Sequence, residues 1–161
     1  MTGPTMFDLP SMESMLALTF GHRLGWALLS TDGTITSGRA NLPPYDAQRP
    51  GQRFLRLRGW LTETKAAAGG LRAVLFDEQT GAQPLAEVHH FGGMVATVGA
   101  WCEHHRIGYE AAPSGLWIRA ITGQPNASAG ELIAALRSIG HAAGSAEEAR
   151  ALGMLLWAVT R

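Results

Sequence analysis

Cysteine is almost absent from this chain. Cys102 stands alone among 161 residues, which excludes an internal disulfide and any zinc site built on cysteines. Lysine is as scarce, with Lys65 the single example, so nearly all of the positive charge is arginine. With 20 glycines and abundant alanine, that skew fits a GC-rich bacterial or phage genome. Charged residues make up only 16%, and thirteen basic side chains balance thirteen acidic ones, so net charge does not advertise a polyanionic partner. Apolar runs fall well short of a bilayer span, and no basic-plus-apolar leader opens the chain. The expectation is a cytoplasmic protein with no membrane partner.

What is present is enough for one ordinary domain, able to bury about two-thirds of its unfolded surface. Residues 1–12 carry Gly and two prolines without periodicity and read as an irregular tail, leaving 13–161 as a single domain. Met15 to Phe20 and Trp26 to Ser30 are short apolar runs joined by Gly21 to Gly25, suited to antiparallel strands. Thr31-Asp-Gly-Thr34 signals a hairpin turn into a third strand, Ile35 to Gly38. After a proline-rich loop from Asn41 to Gly51, the stripe Phe54, Leu57 and Leu61 predicts a helix over 53–68. Leu71 to Phe76 is a buried strand run. A long helix over 85–106 keeps Val88, Phe91, Val95, Val98 and Cys102 at helical spacing. Gly92-Gly93 inside it implies close packing against another backbone. Ile107 to Ala111 is a short strand, Ser114 to Ile121 one or two helical turns, and Ala127 to Ile139 a helix. The last helix runs from Ser145 to Val159, with Ser145 as N-cap and Glu148 at N3. Three leading strands followed by alternating helices and strands give an α/β fold, a mixed sheet with helices on its faces.

Several polar and aromatic residues have a plain structural reading. His89-His90 and His104-His105 are helix neighbours about 100° apart, so neither pair chelates one ion; both read as solvated faces, and His22 as a loop histidine. Arg53, Arg56 and Arg58 form either a solvated helix face or a phosphate-binding one. Trp26, Trp60, Trp101 and Trp157 sit on apolar stripes. Trp117, beside Arg119 in a loop-like segment, is the aromatic placed to touch a partner.

Four landmarks, spread over about residues 15–159, resemble the RuvC family of Holliday junction resolvases, in particular short phage and prophage members. They are Leu16-Ala-Leu-Thr-Phe-Gly with Gly25-Trp-Ala-Leu, then Val74-Leu-Phe-Asp-Glu, then Phe91-Gly-Gly-Met with Trp101-Cys-Glu and Pro113 to Gly123, and finally Ser145-Ala-Glu-Glu-Ala-Arg-Ala-Leu. The resemblance implies an RNase H-like (RuvC-like) five-stranded sheet of order 3-2-1-4-5 with helices on both faces. It also implies a homodimer through the long helix, paired by Phe91, Met94 and Trp101, and branched DNA as partner.

RuvC nucleases need a carboxylate cluster to hold two Mg²⁺ ions about 4 Å apart on the scissile phosphate. Matched position by position, Thr19 stands where the first-strand acid belongs. Asp77, with Glu78 beside it, keeps the fourth-strand acid. Ser145 and Glu148 fall on the helical pair, and of the basic residues before the last helix only Arg119 survives. Half of the anionic ligands and most of the phosphate-facing charge are therefore gone. The expectation is a degenerate nuclease with no cofactor, acting by binding branched DNA or a protein partner. The resemblance implies Asp77 and Glu148 as relic catalytic residues and Arg119 as a nucleic-acid contact, to which the residue chemistry adds Trp117, Arg53 and Arg56. Two rivals stay open: an active Mg²⁺- or Mn²⁺-dependent endodeoxyribonuclease with Asp77, Glu78 and Glu148 as metal ligands, and a purely structural protein-interaction module.

Overall fold

The computed structural model describes residues 13–46, 48–78 and 81–160; the tail expected at 1–12 lies outside them. Strands β1 (Met15–Phe20), β2 (Leu24–Leu29) and β3 (Ile35–Ala40) come first. They are followed by α1 (Pro50–Ala67), β4 (Ala73–Asp77), α2 (Leu85–His105) and β5 (Gly108–Ala112). Helices α3 (Ser114–Thr122), α4 (Ala129–Ser138) and α5 (Ala146–Thr160) complete the order. One five-stranded sheet has the order β3-β2-β1-β4-β5, as the family resemblance implies. β1 pairs antiparallel with β2 and parallel with β4, which makes it the central strand.

That placement explains its sequence. A central strand covered on both faces is apolar throughout, and Met15 to Leu18 are buried. Leu16 and Leu18 pack with Leu57, Leu61, Met94 and Val98 of α1 and α2. Met15 and Ala17 face the opposite side, against Trp117, Leu132, Leu136 and Leu152 of α3, α4 and α5. Two hydrophobic layers thus sandwich the sheet. β3, at the edge, shows the half-exposed pattern of a one-sided strand.

Boundaries differ from expectation where turn chemistry decides. β2 starts at Leu24 and β3 runs on to Ala40, its register partner, and the hairpin between them turns tightly through Gly33 at φ 86°, where Asp32 Oδ1 accepts from the Thr34 N–H at 2.9 Å. α1 begins at Pro50 because proline suits the first helical position. The glycine pair in α2 also has a different cause from the one expected. A Cβ on Gly93 would lie 2.1 Å from the Phe54 ring, whereas Gly92 faces open space. Gly93 therefore makes room for an aromatic side chain, not for a neighbouring backbone. Among the described residues, no helix is long and apolar enough to cross a membrane.

Candidate functional site

Side chains alternate along a strand, so Thr19 shares its face with Ala17, and Asp77 shares its face with Leu75. Both therefore look toward α5. They stand one residue beyond Leu18–Phe76, the last registered pair of β1 and β4, at the end of the sheet where the parallel strands finish. Helix α5 starts there. A Cβ on Gly25, the register partner of Thr19, would fall 2.3 Å from the carbonyl oxygen of Glu147. The first turn of α5 thus lies directly on the β2 backbone, which only glycine permits.

Asp77 is buried, 7% exposed, and its carboxylate is fully engaged. Oδ1 accepts from the Ser114 hydroxyl at 2.8 Å and from the Trp117 indole N–H at 3.2 Å. Oδ2 accepts from Arg150 Nε at 2.6 Å, with Arg150 Nη2 at 2.5 Å. The Arg150 guanidinium also lies over the Trp117 ring, 5.1 Å from its centroid. Ser114 opens α3, so the positive end of that helix adds to the stabilisation of the carboxylate. Gly153, whose Cβ would meet the Trp117 ring at 2.9 Å, leaves the space the indole needs.

The other acid of interest lies elsewhere. Ser145 caps α5 as expected, its Oγ accepting from the Glu148 N–H at 3.1 Å. The Glu148 carboxylate accepts from the Gly144 N–H at 3.0 Å and from the Ser37 hydroxyl on β3 at 2.8 Å. Three strand intervals, about 14 Å, separate β3 from β4, so Glu148 and Asp77 do not converge. The residues one turn apart that face the sheet end are Glu147 and Arg150, an acid and a base. Glu147 packs its Cγ against Gly21, and Arg150 meets Asp77. Glu78 is exposed beyond the strand, its backbone N–H donating to the Ala112 carbonyl.

Two divalent ions do not suit this donor set. Asp77 already has a cation and two neutral donors, and Glu148 is held by β3. Thr19 offers a single hydroxyl, 8% exposed and without a hydrogen-bond partner. Among the described residues, no group of three or more His, Cys, Asp or Glu side chains could hold a metal.

The expected nucleic-acid contacts need correction. Trp117 is wholly buried in α3 under α5, so it cannot stack on a base; its polar edge reads Asp77 instead. Arg53 is 2% exposed and belongs to neither a solvated nor a phosphate-binding face. Its guanidinium donates to the carbonyls of Pro43, Gly21 and His22, and its Nε donates to His90 Nε2 at 2.9 Å. His90 is accordingly half-buried rather than solvated, and burial together with the Arg53 charge holds its imidazole below the usual histidine range. Arg56 is exposed and paired with Glu63 at 3.2 Å, and Arg119 is exposed in the last turn of α3. Met94 and Trp101 are buried toward α1 and the sheet and Phe91 is half-buried beside them; the exposed large apolar residues of α2 are Leu85 and Val88. The sequence reading missed Arg150, whose i, i+3 relation to Glu147 was the available signal.

Protein-family models and curated relatives give no match to this chain. Solved structures do. RuvC from Thermus thermophilus superposes with a TM-score of 0.70 at 17% identity, over 89% of this chain and 92% of that one. The T. thermophilus RuvC in complex with Holliday junction substrate gives 0.73 at 17%, over 90% and 92%. A yeast mitochondrial Holliday junction resolvase gives 0.55 at 10%, over 90% and 78%. The chain has the RuvC-type, RNase H-like fold.

Proposed function

We propose that this chain is a RuvC-like protein that binds branched DNA without cleaving it by a two-metal mechanism. The observation that supports this reading is the state of Asp77. A catalytic carboxylate must present free oxygens to its ions. Here both oxygens are committed, and the partner is a permanent cation supplied by the helix that would carry metal ligands in a nuclease. The fold supports branched DNA as the substrate class, since T. thermophilus RuvC with a similar architecture is seen with a Holliday junction substrate. Exposed Arg23 and Arg39 border the sheet end and are the cations best placed to meet phosphates there.

The test is a gel-shift and cleavage assay on a four-way junction with Mn²⁺. Expected is salt-dependent binding without nicking. Nicking that disappears in Asp77→Ala and Glu148→Ala would overturn the reading in favour of an active nuclease. The equal numbers of basic and acidic residues favour a second reading, a module that binds a protein partner. An absence of junction binding at low salt would select it.

A further inference from the structure

A cavity of about 420 Å³ opens on the opposite face of the sheet, where Phe20 ends β1 and α2 begins. Its size lies within the ordinary range for small-molecule sites. Phe20 and Phe91 form one wall, ring centroids 5.9 Å apart and edge to face; Tyr45 and His90, 5.3 Å apart, form another. A buried cation, Arg53, lines one end, and the exposed carboxylate of Glu87, in the first turn of α2, lines the rim.

The polar inventory narrows the occupant. Four of the five N–H groups of Arg53 are spent on three backbone carbonyls and on His90, so the guanidinium is not free to grip a phosphate or a carboxylate. Because His90 Nε2 accepts from Arg53, the proton of the neutral ring sits on Nδ1, which remains a donor. With aromatic walls, donors at His90 Nδ1, the Tyr45 hydroxyl and the one remaining N–H of Arg53, and a carboxylate acceptor at the rim, the site offers hydrogen-bonding edges rather than a free charge of either sign. It suits a neutral, planar molecule with hydrogen-bonding edges.

We infer that this cavity receives an unpaired nucleobase, stacked between the Phe20–Phe91 and Tyr45–His90 walls with its N–H edge toward Glu87. The inference rests on the DNA-binding reading for its macromolecular source; a free nucleotide offers the same chemistry. Stacking on aromatic side chains is strong enough that removing one wall is a measurable loss.

The experiment uses the full chain and two kinds of probe: branched DNA with one unpaired 2-aminopurine at the crossover, and free deoxynucleoside monophosphates. Binding should change the 2-aminopurine fluorescence. Tyr45→Ala should lower the preference for the unpaired probe over the fully paired one about tenfold. Glu87→Gln, a rim substitution that leaves the core intact, should lower it several-fold. Should the junction bind while 2-aminopurine stays unchanged, or both variants keep the parent preference, the cavity inference falls and DNA binding stands. If DNA does not bind but a monophosphate binds the parent and not Tyr45→Ala, the cavity takes free nucleotides and the DNA-binding reading fails. Binding of neither probe overturns the inference.

Discussion

Arg150 reaches across from α5 so that its Nε and Nη2 both meet Oδ2 of Asp77, at 2.6 and 2.5 Å. Where a metal nuclease would hold a hydrated dication, this chain holds a guanidinium supplied in cis. A guanidinium supplies charge and direction but no coordinated water to activate, which is the physical basis of the proposal that this chain binds DNA without hydrolysing it.

Removing the cation should therefore destabilise the fold. Arg150→Ala leaves a carboxylate that is 7% exposed without its counter-charge. The guanidinium side chain is itself about one-third exposed, at 33%. The expected loss is about 2 kcal/mol, below the 3–5 kcal/mol of a fully buried pair. Urea titration of Arg150→Ala, Asp77→Asn and the double variant measures it. Strict additivity of the two single losses would show that the pair is not coupled.

Restoring the first-strand acid should fail on its own. Thr19→Asp places a charge at a position only 8% exposed, beside a neighbour already neutralised, and is expected to lower Tm with or without Mn²⁺. With Arg150→Asn added, Thr19→Asp and Asp77 share an uncompensated pocket, and millimolar Mn²⁺ should then raise Tm. Differential scanning fluorimetry with and without Mn²⁺ reads the contrast between the two variants.

Two glycines should respond with opposite sign. Gly25→Ala drives a Cβ to 2.3 Å from the Glu147 carbonyl oxygen, which is backbone and cannot swing aside, so a loss of about 3 kcal/mol is expected. Gly92→Ala meets nothing within 4 Å on an exposed helix face and should gain about 0.5–1 kcal/mol from helix propensity. Thermal melts of the two variants test both.

Stability should also depend on pH through His90. Burial first, and the Arg53 charge second, depress its folded pKa below the ordinary histidine value of 6.5. The unfolded chain then binds the extra proton, so stability is complete above about pH 6.5 and declines as pH falls through that value. Tyr45 and Phe91 flank the ring without contributing charge, and Glu87, one turn earlier on α2, is exposed at the rim. In His90→Gln the decline should shrink, because an amide oxygen can still accept from Arg53 Nε and does not titrate. An unchanged pH profile would assign the decline to other groups.

Apolar runs and Gly–Pro punctuation made the sheet legible: β1 is buried on both faces, and its composition says so. Thr19 and Asp77 were singled out by the family resemblance, and strand pairing sets both one residue beyond the Leu18–Phe76 pair. The partners of charged side chains were not legible. Arg53 and Arg56 lie three residues apart on one helix, yet one is buried among carbonyls and the other pairs with Glu63 in solvent. Their difference comes from the chain folded above them, the loop through Pro43 and the turn at Gly21–His22, which no local pattern reports. Trp117 misled in the same way. Its short helix looked like a loop by length, and only the space left by Gly153 on α5 buries it.

The indole of Trp117 has Asp77 at its N–H, Arg150 over its ring, and no exposure to solvent. The molecule therefore carries an optical gauge at its own sheet end. Any event that pulls the guanidinium from the carboxylate, whether a DNA phosphate, a metal ion or a substitution, alters the electric field across that chromophore. Replacing the other four tryptophans with phenylalanine would isolate its emission and turn occupancy of the site into a signal that needs no label.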